Sequence, residues 1–530
     1  MLNLLKCSIK FLCDKVKMVD DVSANKRIRT ENSTSELVDD VSSNKRIRTE
    51  TETSELCTTI SDISPRTGED SLLCSPAYVA SKTKDSKSQE VTYDPAHFIR
   101  CHGPSKYNKG AANSTTQVWD VSFEPDYTDP RMTTNSIATC GGNSICVTDV
   151  RRGEVLMKYR HTDRWTDFYT LTWTVLPHED GTKKSVLLSG SSKGEIFMFY
   201  PEEKICFYIW TFVHNIMDEN EEETHKKKPS NIAVNSIISH SKNKSWIFVG
   251  LSSGVLYLYD IGSDFVLPQY ERVDPQQLLK LEPYLGEIYN VKWTGNESQW
   301  LIAGAKAGMV GWRIEEEKIL DSSDNIYTPV TVDFQMPRSD NGDITLSGST
   351  VDSIDVINDF TLVCKCVSHG FLYVINLSKT IDDLQGHDKS VATRAEKEAK
   401  IVAKLDWSKT DTFYMNIGCN RQGLICCGDD EGSLWVYEQP KLLEAHKTSG
   451  LESNEKDVSI LKANVRLMWP SLEEASAEIS ESNLENGRRN ITIDKVDVSY
   501  NGDYIVAVTS NNMICIWKRK NVMLDKQKDL

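Results

Sequence analysis

From about Val91 onward, hydrophobic and polar residues alternate in short runs, each entered through Gly or another turn former and often closing on an aromatic residue plus a polar one. Seven such runs line up: "NSICVTDV" from Asn143, "GEIFMFY" from Gly194, "GVLYLYD" from Gly254, "GMVGWRI" from Gly308, "GFLYVIN" from Gly370, "GSLWVYE" from Gly432 and "NMICIWK" from Asn512. Each follows an apolar run that ends in turn residues, as in "SVLLSGSSKG", "WIFVGLSSG", "LICCGDDEG" and "IVAVTSNN". Two strands joined by a tight turn, recurring seven times, predict the blades of a β-propeller. The expected fold is therefore all-β, a seven-bladed WD-repeat propeller over 91–520, with a disordered tail over 1–90 and a short C-terminal tail over 521–530.

Most repeats begin 50 to 62 residues apart, more than the ~40–45 of an ordinary blade. Long surface loops are expected at His214 to Ser230, Ser378 to Lys400 and Pro440 to Arg489. The segment "VTYDPAHFIRC" is expected to add the outer strand of the last blade, closing the ring and removing the exposed edge.

The strand that opens each blade carries a second pattern. "VWDVSF" places Trp119, Val121 and Phe123 on one face, "FYTLTW" places Tyr169, Leu171 and Trp173 there, and "IYNVKW" places Tyr289, Val291 and Trp293. A fourth case, "TFYMNIG", offers Phe413 and Tyr414 at the same place without fixing which shares the register. The later positions read as packing between blades. The first aromatic residues stand where all innermost strands begin, at one mouth of the central channel, with Tyr289 as a rim position. Periodicity alone favours packing for them too. A ring of aromatic faces is also what a methylated ammonium needs, because its hydration is weak and its charge is drawn to the rings.

Composition separates the tail from this body. All twelve Trp lie at or after Trp119, and no aromatic residue stands between Phe11 and Tyr78. Such a stretch cannot offset its ordering entropy by burial. The tail repeats "VDDVSANKRIRTE" as "VDDVSSNKRIRTE", which doubles a basic cluster: Lys26, Arg27 and Arg29 recur as Lys45, Arg46 and Arg48. These are candidate nuclear import signals. Ser64-Pro65 and Ser75-Pro76 fit phosphorylation sites of low specificity. The apolar start is interrupted by Lys6 and Lys10, lacks a cleavage site and is too short to span a membrane; Met18 is a candidate initiator.

A net charge of −16 argues against holding nucleic acid through phosphate contacts, so nucleic acid is an indirect partner at most. An acidic body suits a basic partner such as a histone tail. Cys206, Cys364, Cys366, Cys427 and Cys515 sit in apolar strand-like runs, and no Cys-x-x-Cys exists, so they read as reduced core residues. Cys364 and Cys366 with His369 read as core rather than as a metal site. "GSSKGE" and "GDDEGS" lack a P-loop ending, and no hydrolase constellation is present. Neither an enzyme, a metal nor a cofactor is expected.

From about His97 to Lys520 the chain resembles the WD-repeat domain of the origin-recognition-complex-associated leucine-rich-repeat and WD-repeat family. The resemblance rests on "HFIRCH", "TQVWDVSFEP", "ATCGGNSICVTD", "AKLDWS", "GLICCGDDEGSLWVY", "LMWP" and "NNMICIW". It is more distantly similar, through "DFYTLTW" and "DTFYM", to the embryonic-ectoderm-development (extra sex combs) propeller of the Polycomb methyltransferase complex, which reads trimethyl-lysine with an aromatic cage. Carried over, that cage falls on Trp119, Tyr169, Phe413 and Tyr414. The resemblance implies a nuclear, chromatin-bound scaffold that binds trimethyl-lysine histone tails and helps hold the origin recognition complex at repressive chromatin. The leucine-rich half of the relatives has no counterpart in the first 100 residues. A Polycomb subunit that relays a methyl mark, and a plain adaptor for an unmodified peptide, are the alternatives.

Overall fold

In the computed structural model the chain is described over residues 92–103, 116–129, 132–211, 232–262, 275–295, 297–320, 327–337, 350–381, 394–440, 442, 458–468 and 491–520. All of these lie in one compact unit, Cys57–Leu530. The tail, its two basic clusters, its Ser-Pro pairs and the loop expected at His214 to Ser230 fall outside the described residues.

Seven sheets form the seven blades. Their innermost strands are Val118–Pro125, Phe168–Pro177, Val234–Ser239, Ile288–Trp293, Val351–Asn358, Gly418–Cys419 and Ile493–Val498. Each contacts the next around the ring, and the last contacts the first. The seven repeats read from sequence are the third strands, from Ser144–Asp149 in blade 1 to Ile514–Arg519 in blade 7. Tyr93–Ile99 pairs antiparallel with Ile514–Arg519 and is the outer strand of blade 7. The Tyr93 hydroxyl donates to the Gly502 carbonyl at 2.8 Å, within the same blade. The first and last described strands thus share one sheet, and the ring closes as the sequence predicts.

Two of the three expected loops are not simple loops. Within Ser378 to Lys400, Arg394–Glu398 adds a fifth, parallel strand to blade 4 beside Val330–Gln335. Within Pro440 to Arg489, Ser459–Leu461 adds a parallel fifth strand to blade 5, and Val465–Met468 is the outer strand of blade 6. The blade-4 addition is anchored by Arg394, whose Nε and Nη2 donate to Asp333 at 2.6 and 2.8 Å while Nη2 also reaches the Pro283 carbonyl at 2.9 Å. Covering a polar blade edge in this way satisfies its unpaired backbone groups.

Six innermost strands contain a β-bulge at their second residue, which leaves one residue without a partner across the ladder. These residues are Trp119, Tyr169, Asn235, Tyr289, Asp352 and Asp494. The bulge corrects the expected register. Val118, Val121 and Phe123 pack together between blades, as do Phe168, Leu171 and Trp173, whereas Trp119 only borders a core cluster and Tyr169 belongs to none. The extra residue displaces the aromatic side chain from the face that alternation alone assigns it.

The residue after each bulge ties its blade to the next. Asp120 Oδ2 accepts the Leu171 N–H at 2.8 Å, Thr170 Oγ1 that of Ile237 at 3.2 Å and Ser236 Oγ that of Val291 at 3.1 Å. Asn290 Oδ1 accepts the Ile354 N–H at 3.4 Å and Ser353 Oγ that of Ile417 at 2.8 Å. In blade 7 the equivalent residue is Lys495, which pairs with Asp120 at 3.2 Å and joins the last blade to the first. These bonds satisfy backbone donors along the inner edge of each blade, where the innermost strand has a ladder partner on one side only.

Candidate functional site at the channel mouth

Because the innermost strands all run the same way around the channel, the bulge residues form a ring at one end of it. The Trp119 ring lies 5.4 Å from that of Tyr169 at 75° and 6.1 Å from that of Tyr414 at 80°. Tyr414 meets Tyr289 at 5.2 Å and 87°, and Tyr289 meets Phe413 at 5.9 Å and 47°. Trp119, Tyr169, Tyr289 and Tyr414 line a cavity of about 540 Å³ that continues down the channel, together with Asn235 and Glu287. Trp119, Tyr169 and Tyr414 are half-buried, as a wall with one wet face must be; Tyr289 is 8 % exposed. Phe413 is 36 % exposed, outside that lining, and touches the group through Tyr289.

The blade-6 pair does not occupy a strand start. The bond from Ile417 to Ser353 aligns Ile417 with Leu171 and Val291, so the residue equivalent to Tyr169 is Met415, which is fully buried. Tyr414 enters from the preceding segment, with φ of 64°. A non-glycine residue in this left-handed region costs about 1 kcal/mol, and two bonds hold it there. Its N–H donates to Asp352 Oδ2 at 2.9 Å and its hydroxyl to Glu287 Oε1 at 3.1 Å.

Asp352 is itself held by Lys365, whose Nζ lies 2.7 Å from Oδ2; both side chains are buried. Lys365 Nζ also stands 3.5 Å from the Thr412 carbonyl and 5.4 Å from the Trp407 ring. Burial pushes the Asp352 carboxyl upward against the pull of Lys365. The "CKC" stretch therefore works in two directions. Cys364 and Cys366 enter the core of blades 4 and 5, and the lysine between them braces the segment that carries Tyr414.

Burial raises the Tyr169 hydroxyl, with Asp167 adding to the effect, and pushes that of Tyr289 up to about 12, with help from Glu287 and Asp352. Tyr414 is raised by burial and then by Glu287. All three remain neutral phenols at physiological pH, so their faces keep the negative potential that attracts a cation. Deeper in the channel Lys292 pairs with Asp355 at 2.9 Å and Lys495 with Asp120, while Asp497 accepts the Phe123 N–H at 2.7 Å and burial pushes its carboxyl up to about 6.

One trio among the described residues has metal-ligand proximity: Cys101, His102 and Cys146, all buried. Both ring nitrogens of His102 are already engaged, Nδ1 with Ser144 Oγ and Nε2 with Thr139 Oγ1, each at 3.0 Å. Burial lowers its pKa to about 3. A neutral imidazole with two hydroxyl partners is a packed core residue. His369 bonds Tyr373 through Nδ1 at 3.0 Å.

Sequence reasoning missed Glu287, Asn235, Asp352 and Lys365. Asn235 and Asp352 stand at the bulge position of "VNSI" and "VDSI", the polar counterparts of "VWDV" and "FYTL". Aligning every innermost strand, and not only the aromatic ones, finds them.

Residues 86–520 match the family model described as "Leucine-rich repeat and WD repeat-containing protein 1, WD domain". The chain is 26% identical over 438 residues to the protein of that name from Xenopus tropicalis, covering 81% of this chain and 55% of the relative. It is 26% identical over 449 residues to that from Danio rerio, with coverages of 83% and 52%, and 24% identical over 446 residues to that from Homo sapiens, with 82% and 59%. The chain thus spans about half the length of the curated relatives it matches. A chain from a humanized mutant of the Chaetomium thermophilum Polycomb Repressive Complex 2, bound to the inhibitor GSK126, superposes with a TM-score of 0.53 at 11% identity, covering 81% of this chain and 98% of that one. A chain from an active polycomb repressive complex 2 in the basal state gives 0.51 at 11%, with the same coverages. At that identity the likeness is one of fold. The family model spans the whole ring from the closing strand to the last blade, and the chain belongs to the WD-domain family of leucine-rich repeat and WD repeat-containing protein 1.

Proposed function

We propose that this chain is a chromatin-associated scaffold whose channel mouth binds a methylated lysine of a histone tail. The observation that carries the reading is the Trp119 ring standing nearly perpendicular to both Tyr169 and Tyr414 over one cavity. Three faces at such angles surround a small cation, and methylation lowers the cost of taking that cation out of water. An unmethylated lysine loses more hydration on entry. The acidic chain, at −16, favours encounter with a basic tail.

The origin recognition complex is the proposed partner, and a hold on repressive chromatin the proposed role; both rest on the family resemblance. Lys26, Arg27, Arg29, Lys45, Arg46 and Arg48 are proposed to direct the chain to the nucleus, with the propeller taken as 91–520. The Polycomb alternative has behind it the fold likeness at 11% identity. Co-purification separates the two, through origin-recognition subunits in one case and a SET-domain enzyme in the other.

The test is titration of the full chain with fluorescent histone-tail peptides carrying zero to three methyl groups on each lysine. Methylated peptides that bind at least about tenfold tighter than their unmethylated forms support the reading. Equal, weak binding across the panel contradicts it and leaves an adaptor.

A further inference from the structure

We infer that the outer edge of blade 1 is a docking strand, which takes an acidic extended segment of a partner protein as its fifth strand. Blade 1 ends on Glu154–Arg160, and among the described residues no strand pairs with the outer side of it. Blades 4 and 5 show what completes such an edge. Each receives an extended segment of this chain, and on blade 4 opposite charges fix that segment, with Arg394 on Asp333. The edge of blade 1 carries exposed cations instead, Lys158 and Arg160. Neither has an ion-pair partner among the described residues. At the edges of blades 3 and 7 the lysines are already paired, Lys280 with Glu282 at 2.6 Å and Lys520 with Asp94 at 3.7 Å.

Register fixes what this edge presents. The His161 N–H donates to the Asn143 carbonyl at 2.8 Å, so the alternation of an antiparallel ladder turns the backbone groups of Tyr159 toward Ser144–Asp149 and those of Lys158 and Arg160 outward. Lys158 stands opposite Cys146 and Arg160 opposite Ser144. Cys146 packs toward blade 7, whereas Ile145, opposite Tyr159, packs toward blade 2. The two cations therefore share one face of the strand. Two contacts on the blade-7 side agree: the Arg160 guanidinium lies over Gly103, and the imidazole of His102, whose pKa is lowered first by burial, also feels the charge of Lys158. A strand added here bonds to the outward groups of Lys158 and Arg160 and sets its own side chains beside theirs. Acidic residues then meet the two cations, and the residue between them, on the Tyr159 face, is apolar.

The experiment titrates the full chain with short fluorescent peptides in which Val alternates with Glu, Val alternates with Lys, or the Val and Glu residues stand in two separate blocks, and follows hydrogen exchange over 154–160. The alternating Glu peptide is expected to bind at least about tenfold tighter than its Lys twin, the scale of two exposed opposite-charge pairs set against two like-charge ones. It should also slow exchange of the Lys158 and Arg160 amides. The variant carrying Lys158→Glu and Arg160→Glu is expected to reverse the preference. Should that variant not fold, Lys158→Gln removes one of the two charges and narrows the preference to about threefold. No binding of the alternating Glu peptide, equal binding of the Lys or block peptide, binding without slowed exchange, or a preference that the variants leave unchanged overturns the inference. Lys158 and Arg160 would then only blunt an open edge.

Discussion

Blades 1 and 2 place Trp119 and Tyr169 at the bulge; blades 5 and 7 place Asp352 and Asp494 at the same backbone position. The aromatic pair is half-buried at the channel end, whereas the acidic pair is 0% and 1% exposed. One acid holds Lys365 and the Tyr414 N–H. The other accepts Gln117 Nε2 at 2.8 Å on Oδ1, with no hydrogen bond to Oδ2 among the described residues. One backbone position thus carries a cavity wall in blades 1 and 2 and a buried acid in blades 5 and 7, and the side chain decides which. One side of the ring lines the cavity; the other, through Asp352, fixes the wall that blade 6 contributes from outside its strand.

The comparison breaks most visibly at the brace. Asp352→Ala strands the buried Lys365 and releases Tyr414 from its left-handed turn, with an expected loss of about 3–5 kcal/mol by urea denaturation. Methyl-peptide affinity falls with it. Trp119→Ala should do the reverse, costing about 1–2 kcal/mol for a half-buried ring while methyl-peptide affinity drops at least about tenfold in the titration.

A pH series sharpens the acidic side. Burial raises the folded-state pKa of Asp494 well above its ordinary value. The folded protein therefore binds this proton more tightly than the unfolded chain, and the favourable contribution, present at acid pH, is lost as pH rises through the folded pKa. Asp494→Asn should raise the melting temperature at pH 7, by an amount that shrinks as the buffer is acidified toward pH 4. The smallest effect belongs to Phe413→Ala, whose ring is outside the cavity lining: methyl-peptide affinity should stay within about twofold.

The propeller was legible because its signal is repeated. Seven apolar-turn-apolar units carry more information than any one of them, and the closing strand follows from the need to cover an edge. The aromatic starts in blades 1, 2 and 4 were legible for the same reason. The bulge was not, since a one-residue slip leaves the alternation of "VWDVSF" intact on paper while moving Trp119 off the face of Val121 and Phe123. Tyr414 and Phe413 look interchangeable in "TFYMNIG"; only the turn at Tyr414, held by Asp352 from 62 residues earlier, separates them. The Asp352–Lys365 pair spans two strands and has no short-range mark. The parallel strands Arg394–Glu398 and Ser459–Leu461 are polar or short, and pair only because a blade edge is there to receive them.

Adjacent residues of "RWTDFYTLTW" offer the most direct test. Phe168 is fully buried between blades 1 and 2, and Tyr169, next in the chain, faces the cavity. The measurement is the stability and methyl-peptide affinity of Phe168→Ala and Tyr169→Ala side by side. The account predicts that Phe168→Ala loses about 3–5 kcal/mol, while Tyr169→Ala loses at most about 1.5 kcal/mol yet at least about tenfold in affinity. A Tyr169→Ala protein as unstable as Phe168→Ala, or one that still binds methylated peptides like the wild type, would contradict it and return the ring at the channel mouth to packing.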